Sequence, residues 1–291
     1  MGREAQRMKI GITGATGLIG RALTAALSAR GDAIVPIGRG VATAAMLAGC
    51  EAVVNLAGEP LLGQRWTGRR REALRNSRIE RTEQVVAALE RMQPRPRVLV
   101  SASAVGYYGD RGAELLSEAS PPGEDFLAQL CRDWEAAAVA AEALGIRVVL
   151  VRTGMVLAPR GGALAQMLTP FRWGVGGPVG SGRQYWPWIH IEDEVGVILE
   201  ALGNGQLHGP VNAAAPEAVT SRDFARALGR ALHRPAILPL PALALRLVFG
   251  GAAAVLLSSQ RVAPGKLEDC GYRFRFPALA AALQDCVAGG T

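Results

Sequence analysis

The chain has 291 residues, of which 49% are apolar, and its formal net charge of +7 comes from 30 arginines and two lysines. This length allows one large α/β domain or two coupled ones. Because no recognition-helix or RNA-binding pattern accompanies the basic charge, we expect an anionic cofactor or substrate and no nucleic-acid partner.

The first residues of the chain, its most apolar stretch and its cysteines indicate a cytoplasmic protein. Residues 1–7 are polar and lack the apolar core of a signal peptide, so the fold is expected to begin at Met8. The most apolar stretch, 236–257, is too interrupted by proline, glycine and arginine to span a bilayer. It predicts a packed helix or an oligomer contact, and no membrane partner. No C-x-x-C spacing occurs among the cysteines, which are typical of reduced thiols: Cys50, Cys131, Cys270 and Cys286.

Apolar strands alternate with amphipathic helices along the first half of the chain. The predicted strands are 9–13, 33–37, 51–56, 97–101 and 147–152. The predicted helices are 19–30, 69–92 and 125–144. This alternation predicts an α/β protein with a Rossmann-type, doubly wound parallel sheet.

The pattern loosens after Thr153, where glycine and proline become frequent. We therefore expect a Rossmann domain over 8–153, with its sheet completed by a strand within about 206–215. Segments 154–190 and 216–291 are expected to form a smaller substrate lobe.

A glycine-rich turn follows the first strand and opens the first helix. In this context Gly14 permits the tight turn, Gly17 lets the backbone approach a diphosphate, and Gly20 allows close packing of helix on strand. The helix N-terminus adds free N–H donors and a partial positive charge. We therefore predict a dinucleotide site whose cofactor-binding residues here are Gly14, Thr16, Gly17, Leu18, Ile19 and Gly20.

The end of the second strand indicates which dinucleotide binds. NAD sites place a carboxylate there for the ribose 2′-hydroxyl, but residues 33–49 contain no acidic residue, and Asp32 lies at the wrong end of the strand. Arg39 instead offers a fork of donors to a 2′-phosphate. The cofactor is predicted to be NADP(H), unless Arg39 is simply a solvated arginine.

Three stretches resemble the extended and atypical short-chain dehydrogenase/reductase superfamily: Thr-Gly-Ala-Thr-Gly-Leu-Ile-Gly at 13–20, Asn-Leu-Ala-Gly-Glu at 55–59, and Val-Ser-Ala-Ser-Ala-Val-Gly-Tyr-Tyr-Gly at 100–109. The resemblance implies that Ser103 matches the catalytic serine or threonine of the superfamily. It also implies further cofactor contacts from Leu56, Ala57, Gly58 and Ser101.

Other stretches resemble an atypical subgroup of NAD(P)-dependent sugar-nucleotide epimerases that carries a characteristic C-terminal domain. They are residues 76–78, 133–136, 180–184, 188–193, 259–262 and 271–274. In that subgroup the arginine matching Arg78 helps to hold the NADP phosphate.

The catalytic Tyr-x-x-x-Lys motif of the superfamily is absent. In that motif the tyrosine moves a proton, and the lysine binds the nicotinamide ribose and lowers the pKa of the tyrosine. Neither lysine of this chain lies four residues after a tyrosine, and Leu127 and Cys131 align with the missing pair. The remaining candidates for acid or base are Ser103, Tyr107, Tyr108, Glu59 and His190, of which the first three are the predicted catalytic residues.

The sequence therefore favours an NADP(H)-dependent oxidoreductase or epimerase-like enzyme with a non-standard acid/base and no metal. The arginines near the glycine-rich segment 174–182, Arg172 and Arg183, suggest a small anionic substrate such as a nucleotide sugar. The alternative is a non-catalytic NADP(H) sensor, because the cofactor signature is intact while the catalytic pair is missing. A structural or partner-binding role, including self-association, has only the apolar stretch near the C-terminus to support it.

Overall fold

The computed structural model describes residues 7–38, 40 and 42–289. Its strands, in chain order, are β1 (Lys9–Thr13), β2 (Ala33–Ile37), β3 (Ala52–Asn55), β4 (Val98–Ala104), β5 (Leu115–Leu116), β6 (Arg147–Thr153), β7 (Met155–Leu157), β8 (Tyr185–Trp186), β9 (Trp188–His190), β10 (Gly209–Ala213), β11 (Val219–Thr220) and β12 (Arg261–Val262).

The helices are numbered in the same way. They are α1 (Leu18–Ala29), α2 (Gly68–Asn76), α3 (Ile79–Glu90), α4 (Phe126–Val139), α5 (Gly162–Arg172), α6 (Ile191–Gly203), α7 (Ser221–Ala231), α8 (Ala242–Phe249), α9 (Ala254–Leu257), α10 (Gly265–Asp269) and α11 (Leu279–Ala288). Short 3₁₀-helices cover Val105–Tyr108, Ala140–Leu144 and Gly250–Ala253. None of the helices in the described part of the chain is long and apolar enough to cross a membrane.

Across the described residues the main sheet has six parallel strands in the order β10-β6-β4-β3-β1-β2. Alternate strand residues face opposite sides: Val54 packs with α1 and α6, and its neighbour Val53 packs with α3 and α4. Helices therefore cover both faces. The predicted Rossmann-type, doubly wound sheet is confirmed.

The single helix predicted over 69–92 is instead two helices, α2 and α3, separated at Ser77-Arg78. The Ser77 hydroxyl and the Arg78 guanidinium both donate to the carbonyl of Leu74, at 3.0 and 3.3 Å. Side-chain donors thus take an acceptor that a continuous helix would pair with a backbone N–H, and the helix breaks. The periodicity of apolar residues cannot reveal such a break.

Small two-stranded sheets, β8 with β11, β5 with β12 and β7 with β9, build the region over the carboxyl edge of the main sheet. A separate apolar core there includes Trp188, Phe224 and Leu283. The Asp193 carboxyl group on α6 ties this region to the C-terminal segment, because it accepts from the backbone N–H groups of Arg275 and Phe276 at 2.7 and 2.9 Å. The proposed division into two lobes remains a prediction.

The apolar stretch 236–257 is less packed than predicted. It forms α8, a 3₁₀ turn and α9, and in α8 only Leu245 is buried, whereas Leu243 and Leu247 are exposed. Helix packing therefore accounts for only part of its hydrophobicity.

Gly20 sits where α1 crosses the turn that precedes it. A Cβ at this position would lie 2.2 Å from the carbonyl oxygen of Gly14 and 2.8 Å from the Cα of Ala15. Both neighbours are backbone atoms, so they cannot yield without moving the turn. We expect Gly20→Ala to lower the free energy of unfolding by about 1–3 kcal/mol, measured by urea denaturation.

Gly203 provides the matched control. It is also in a helix, α6, but a Cβ built on it has no neighbouring atom within 4 Å. Gly203→Ala should be neutral or slightly stabilising. If both variants unfolded at the same urea concentration, close packing at Gly20 would not be the constraint described.

Candidate functional site

The turn between β1 and α1 has the form of a diphosphate cradle. Gly14 has φ +69°, and a Cβ there would lie 2.7 Å from the carbonyl oxygen of Leu56. Gly17 is the N-cap of α1 and supplies no side-chain cap, and the first turn contains no acidic residue. Thr16 and Gly17 are exposed, and Leu18 packs on Gly162 across the turn. The N-terminal N–H groups of α1 are thus left for a ligand anion.

Hydrogen bonds to Thr13 of β1 hold the turn after β3 in place. The Thr13 hydroxyl accepts from the backbone N–H groups of Leu56 and Ala57, at 3.1 and 3.2 Å, and donates to Asn55 Oδ1 at 2.6 Å. These bonds form because Thr13 and Asn55 are register partners in adjacent strands. Leu56 and Ala57, with Gly58 after them, therefore lie directly beside the glycine turn.

Ser101 belongs to the support of this turn. It is the register partner of Asn55 on β4 and is fully buried, and Asn55 Nδ2 lies 3.3 Å from its hydroxyl. The same Nδ2 donates to Thr82 on α3 at 2.8 Å, and Trp134 on α4 donates to that hydroxyl at 3.0 Å. The cofactor contact of Ser101 stays a prediction.

Arg78 is a buried guanidinium next to the turn after β3. It donates to the carbonyl of Glu59 at 2.8 Å, lies 3.2 Å from where a Cβ of Gly58 would be, and sits 5.3 Å from the ring of Trp134. Burial lowers the pKa of Arg78. It forms no ion pair with a carboxylate among the described residues, so its charge is available to an anionic ligand.

Arg39, the predicted 2′-phosphate ligand, lies outside the described residues. The carboxyl end of β2 offers no carboxylate in the part of this loop that the structure describes. Asp32 is at the amino end of β2, where it accepts from the backbone N–H of Met8 at 2.9 Å and pairs with Arg30 at 3.3 Å. Its role is to hold the strand, as its position predicts.

Leu127 and Cys131, which align with the missing tyrosine and lysine, both face Gly106. Burial raises the pKa of the Cys131 thiol to about 12, so it stays protonated. This side of α4 is therefore apolar and neutral where the superfamily has its catalytic pair.

A polar network lies one turn further along α4. Ser103 donates to Glu135 Oε1 at 2.6 Å, and Arg152 pairs with both carboxylate oxygens of Glu135 at 2.8 Å. Ser103 and Arg152 are register partners on β4 and β6, which brings them together. Burial acts to lower the pKa of Arg152, but the hydrogen bonds and charge of Glu135 outweigh it, and the pKa is raised.

The two predicted tyrosines contact the same arginine. Tyr108 is fully buried: its hydroxyl donates to Asn212 Oδ1 at 2.6 Å and accepts from Arg152 at 3.0 Å, and burial raises its pKa. Tyr107 is half-buried, with the Arg152 guanidinium 3.5 Å from its ring centre. Tyr107 is thus the more accessible of the two, and the catalytic assignments stay predictions.

Sequence reasoning missed Glu135 and Arg152 as site residues. Glu135 lies within the stretch 133–136 that carries the family resemblance, and this was the only signal for it. Arg152 had no signal beyond its place at the end of a strand, where functional residues of parallel sheets gather.

The other two acid/base candidates have structural partners. His190 is buried: its Nδ1 caps α6 by accepting from the backbone N–H of Glu192 at 3.3 Å, and its Nε2 lies 3.2 Å from Asp285. Burial lowers the pKa of His190 despite Asp285. Glu59 is exposed and pairs with Arg70. Neither residue joins the Ser103 network.

Glu194 is an unusual carboxyl group near the end of β6. It is 1% exposed, it accepts from the Thr153 hydroxyl at 2.8 Å, and its second oxygen has no partner among the described residues. Burial raises the pKa of Glu194 from 4.5 to about 8. The group is therefore protonated at neutral pH.

A family model described as "NAD dependent epimerase/dehydratase family" matches residues 10–214, which include the glycine turn and the Ser103 strand. The chain belongs to this family. A second model, described as "Domain of unknown function (DUF1731)", matches residues 240–286. The family assignment made from the sequence motifs, including a characteristic C-terminal domain, is confirmed.

Relatives within this epimerase family match over nearly the whole chain. The epimerase family protein SDR39U1 of Bos taurus is 41% identical over 295 residues, covering 97% of this chain and all of the relative. The crystal structure of human epimerase family protein SDR39U1 (isoform2) with NADPH superposes with a TM-score of 0.90 at 38% identity, covering 97% of this chain and 99% of that one.

A bacterial structure in the same group is the nucleoside-diphosphate sugar epimerase of Corynebacterium glutamicum. It superposes with a TM-score of 0.81 at 34% identity, covering 97% of this chain and 58% of that one.

The buried Glu194 makes stability depend on pH. Because its pKa of about 8 in the folded state exceeds its ordinary value of 4.5, the folded protein keeps a proton that the unfolded chain releases between these pH values. The free energy of unfolding should therefore fall as pH rises from about 5 to about 8, and this contribution should level off above that.

Glu194→Gln should remove this slope and be more stable than the parent at pH ~8, by on the order of a few kcal/mol. The measurement is urea denaturation across this pH range. Glu192→Gln, an exposed neighbour on the same helix, is the control and should keep the slope of the parent. A Glu194→Gln protein with the slope of the parent would show that Glu194 is not protonated when folded.

Proposed function

We propose that the protein binds NADP(H) and acts as an oxidoreductase or epimerase-like enzyme on a small substrate, with the Ser103–Glu135 pair as its acid/base. One observation carries the proposal. The cradle at the glycine turn and the Ser103–Glu135–Arg152 network share one strand, β4: Ser101 supports the cradle, and Ser103 is two residues further on.

The residues present fit a dinucleotide. The first turn of α1 has free N–H donors with no acidic side chain, and Gly14 and Gly17 leave its approach open. Arg78 adds an uncompensated positive charge beside Gly58. The human relative was crystallised with NADPH, and the loop after β2 has an arginine where NAD sites have a carboxylate. These features support NADP(H) over NAD(H).

Ser103, which is 4% exposed, is the group proposed to exchange a proton with a substrate oxygen. Because its own proton is donated to Glu135, its free lone pairs can accept a hydrogen bond from a substrate hydroxyl. As the substrate C–H bond breaks, the hydroxyl proton passes to Ser103 Oγ and the Ser103 proton passes to Glu135. The bound nicotinamide would accept the hydride in this direction and supply it in the reverse one.

Arg152 sets the geometry of this exchange. Its two bonds to Glu135 fix the carboxylate, which in turn fixes the Ser103 hydroxyl. Tyr107, stacked on the same guanidinium and partly accessible, would line the substrate side. Tyr108 is the weaker candidate, because its hydroxyl is buried with two partners.

A small anionic substrate, such as a nucleotide sugar, is part of the proposal. It is supported by the description of the Corynebacterium relative as a nucleoside-diphosphate sugar epimerase and by the exposed arginines Arg172 and Arg183 on either side of the glycine-rich segment 174–182. A cytoplasmic location is proposed from the four free thiols. Self-association of the chain is tested by a direct measurement of its mass in solution.

The second candidate function is a non-catalytic sensor of NADP(H). The observation that favours it is the neutral, apolar surface of Leu127 and Cys131 where the superfamily has its Tyr and Lys. A sensor would bind the cofactor without consuming it.

The cofactor assignment is tested at Arg39. Arg39→Asp replaces a donor fork by a carboxylate, which repels a 2′-phosphate and can accept from a 2′-hydroxyl. We expect the Kd for NADPH to rise on the order of 100-fold, and the Kd for NADH to change by no more than about 3-fold. Titration of cofactor fluorescence gives both constants. Equal losses for both cofactors would rule out the 2′-phosphate role.

The catalytic assignment is tested at Ser103. NADPH oxidation is first measured at 340 nm against a panel of carbonyl compounds, including keto-sugars and nucleotide-sugar derivatives. With an active substrate, Ser103→Ala should lower kcat by about 100-fold or more at unchanged NADPH affinity, because the substrate oxygen loses its proton carrier. Ser103→Thr, which keeps the hydroxyl, should restore much of the rate.

Two outcomes would contradict the proposed enzymatic role. A Ser103→Ala protein of undiminished kcat would show that the serine is idle. If no member of the panel oxidised NADPH while NADPH raised the Tm, the sensor function would be preferred.

A further inference from the structure

Arg81, on the first turn of α3, reaches across to the loop after β2. Its Nη2 donates to the carbonyl of Gly38 and its Nη1 to the carbonyl of Gly40, the residues on either side of Arg39. The side chain is 9% exposed, and burial lowers its pKa. One guanidinium therefore holds both sides of the position where NADP selectivity is predicted.

The described residues of this loop add few contacts of their own. Gly38 and Gly40 have no side chains, and a Cβ built on either would meet nothing within 4 Å. Arg81 has no ion pair within the described ranges, and its other contact is a long one, 3.4 Å, to Gln84 Oε1. A planar fork with several donors can bond two carbonyls at once, which a lysine cannot do with the same geometry.

This contact has an electrostatic consequence for an anion. The carbonyl oxygens of Gly38 and Gly40 are the negative ends of their peptide groups, and both are turned towards Arg81. Pairing these carbonyl oxygens with a guanidinium reduces the repulsion that they would exert on a nearby phosphate.

We propose that Arg81 is a specificity-determining residue that positions the loop after β2 for the 2′-phosphate of NADP(H). It acts through the loop, and Arg39 is the residue proposed above to bind the phosphate. The inference rests on the proposed NADP(H) function, and it assigns to α3 a role in choosing between the two cofactors.

The test compares the Kd values for NADPH and NADH by isothermal titration in the full-length protein. Adenosine 2′-monophosphate and adenosine 5′-monophosphate serve as probes of the adenosine end alone. Arg81→Met should raise the Kd for NADPH by about 10-fold and the Kd for NADH by less than about 2-fold. Arg81→Lys keeps the charge without the fork, and should fall between Arg81→Met and the parent.

Arg91→Met is the matched control, because Arg91 is exposed at the far end of the same helix. It should leave both Kd values unchanged. Combining Arg39→Met with Arg81→Met separates an indirect role from a direct one: if Arg81 acts through Arg39, the losses are not additive, and the double variant is little weaker than Arg39→Met alone.

The outcomes separate this inference from the proposed function. A parent protein that binds NADH as tightly as NADPH would contradict the cofactor assignment, and the role of Arg81 with it. A parent that prefers NADPH, with an unchanged NADPH-to-NADH ratio in both Arg81 variants, would overturn the role of Arg81 alone. Additive losses in the double variant would overturn its action through Arg39. Should Arg81→Met fail to fold by circular dichroism, the ratio in Arg81→Lys decides.

Discussion

The hydrogen bonds that converge on Asn55 are the interaction on which the site depends. Through Thr13, Ser101, Thr82 and Trp134, this one amide links β1, β3, β4, α3 and α4. All of these polar groups are buried, and each unmade bond there would cost about 1–3 kcal/mol. The glycine turn, the turn after β3 and α4 are therefore connected by buried hydrogen bonds.

The Tyr-x-x-x-Lys pair of the superfamily is absent, and the proposed chemistry depends on a different set of buried polar groups. In the usual arrangement, tyrosine and lysine stand on one face of a helix and depend on that helix alone for their spacing. Here the polar groups are spread over β4, α4 and β6, and the Glu135–Arg152 ion pair holds them together. Removing one partner of such a buried pair typically costs roughly 3–5 kcal/mol, so its geometry is strongly enforced.

The sequence predicted those elements whose patterns depend only on residues that are close together in the chain. The bounds of β1 and β2 follow from short apolar runs between turns, and the glycine turn follows from its spacing. The break at Ser77-Arg78 was missed because it arises from side-chain bonds to Leu74. The periodicity of apolar residues reports which positions are buried, and it carries no information on side-chain bonds to a backbone carbonyl.

A residue of the candidate site could be predicted from the sequence only where it lies in a recognisable motif. Ser103 could be found because its strand resembles the superfamily, but Glu135 and Arg152 meet only through the pairing of β4 with β6 and the packing of α4. Arg81 was one arginine among many, since a charge pattern cannot show that a guanidinium reaches two carbonyls some forty residues away.

The bonds from Asp193 to the backbone of Arg275 and Phe276 bear on how this architecture can be divided. Asp193 belongs to the region matched by the epimerase model, and its two donors belong to the region matched by the other model. A chain ending before residue 275 would leave a buried carboxyl group with neither donor. The C-terminal segment thus supplies the partners of a buried carboxyl group on α6, and an evolutionary or engineered exchange of this segment has to bring its own backbone donors for that helix.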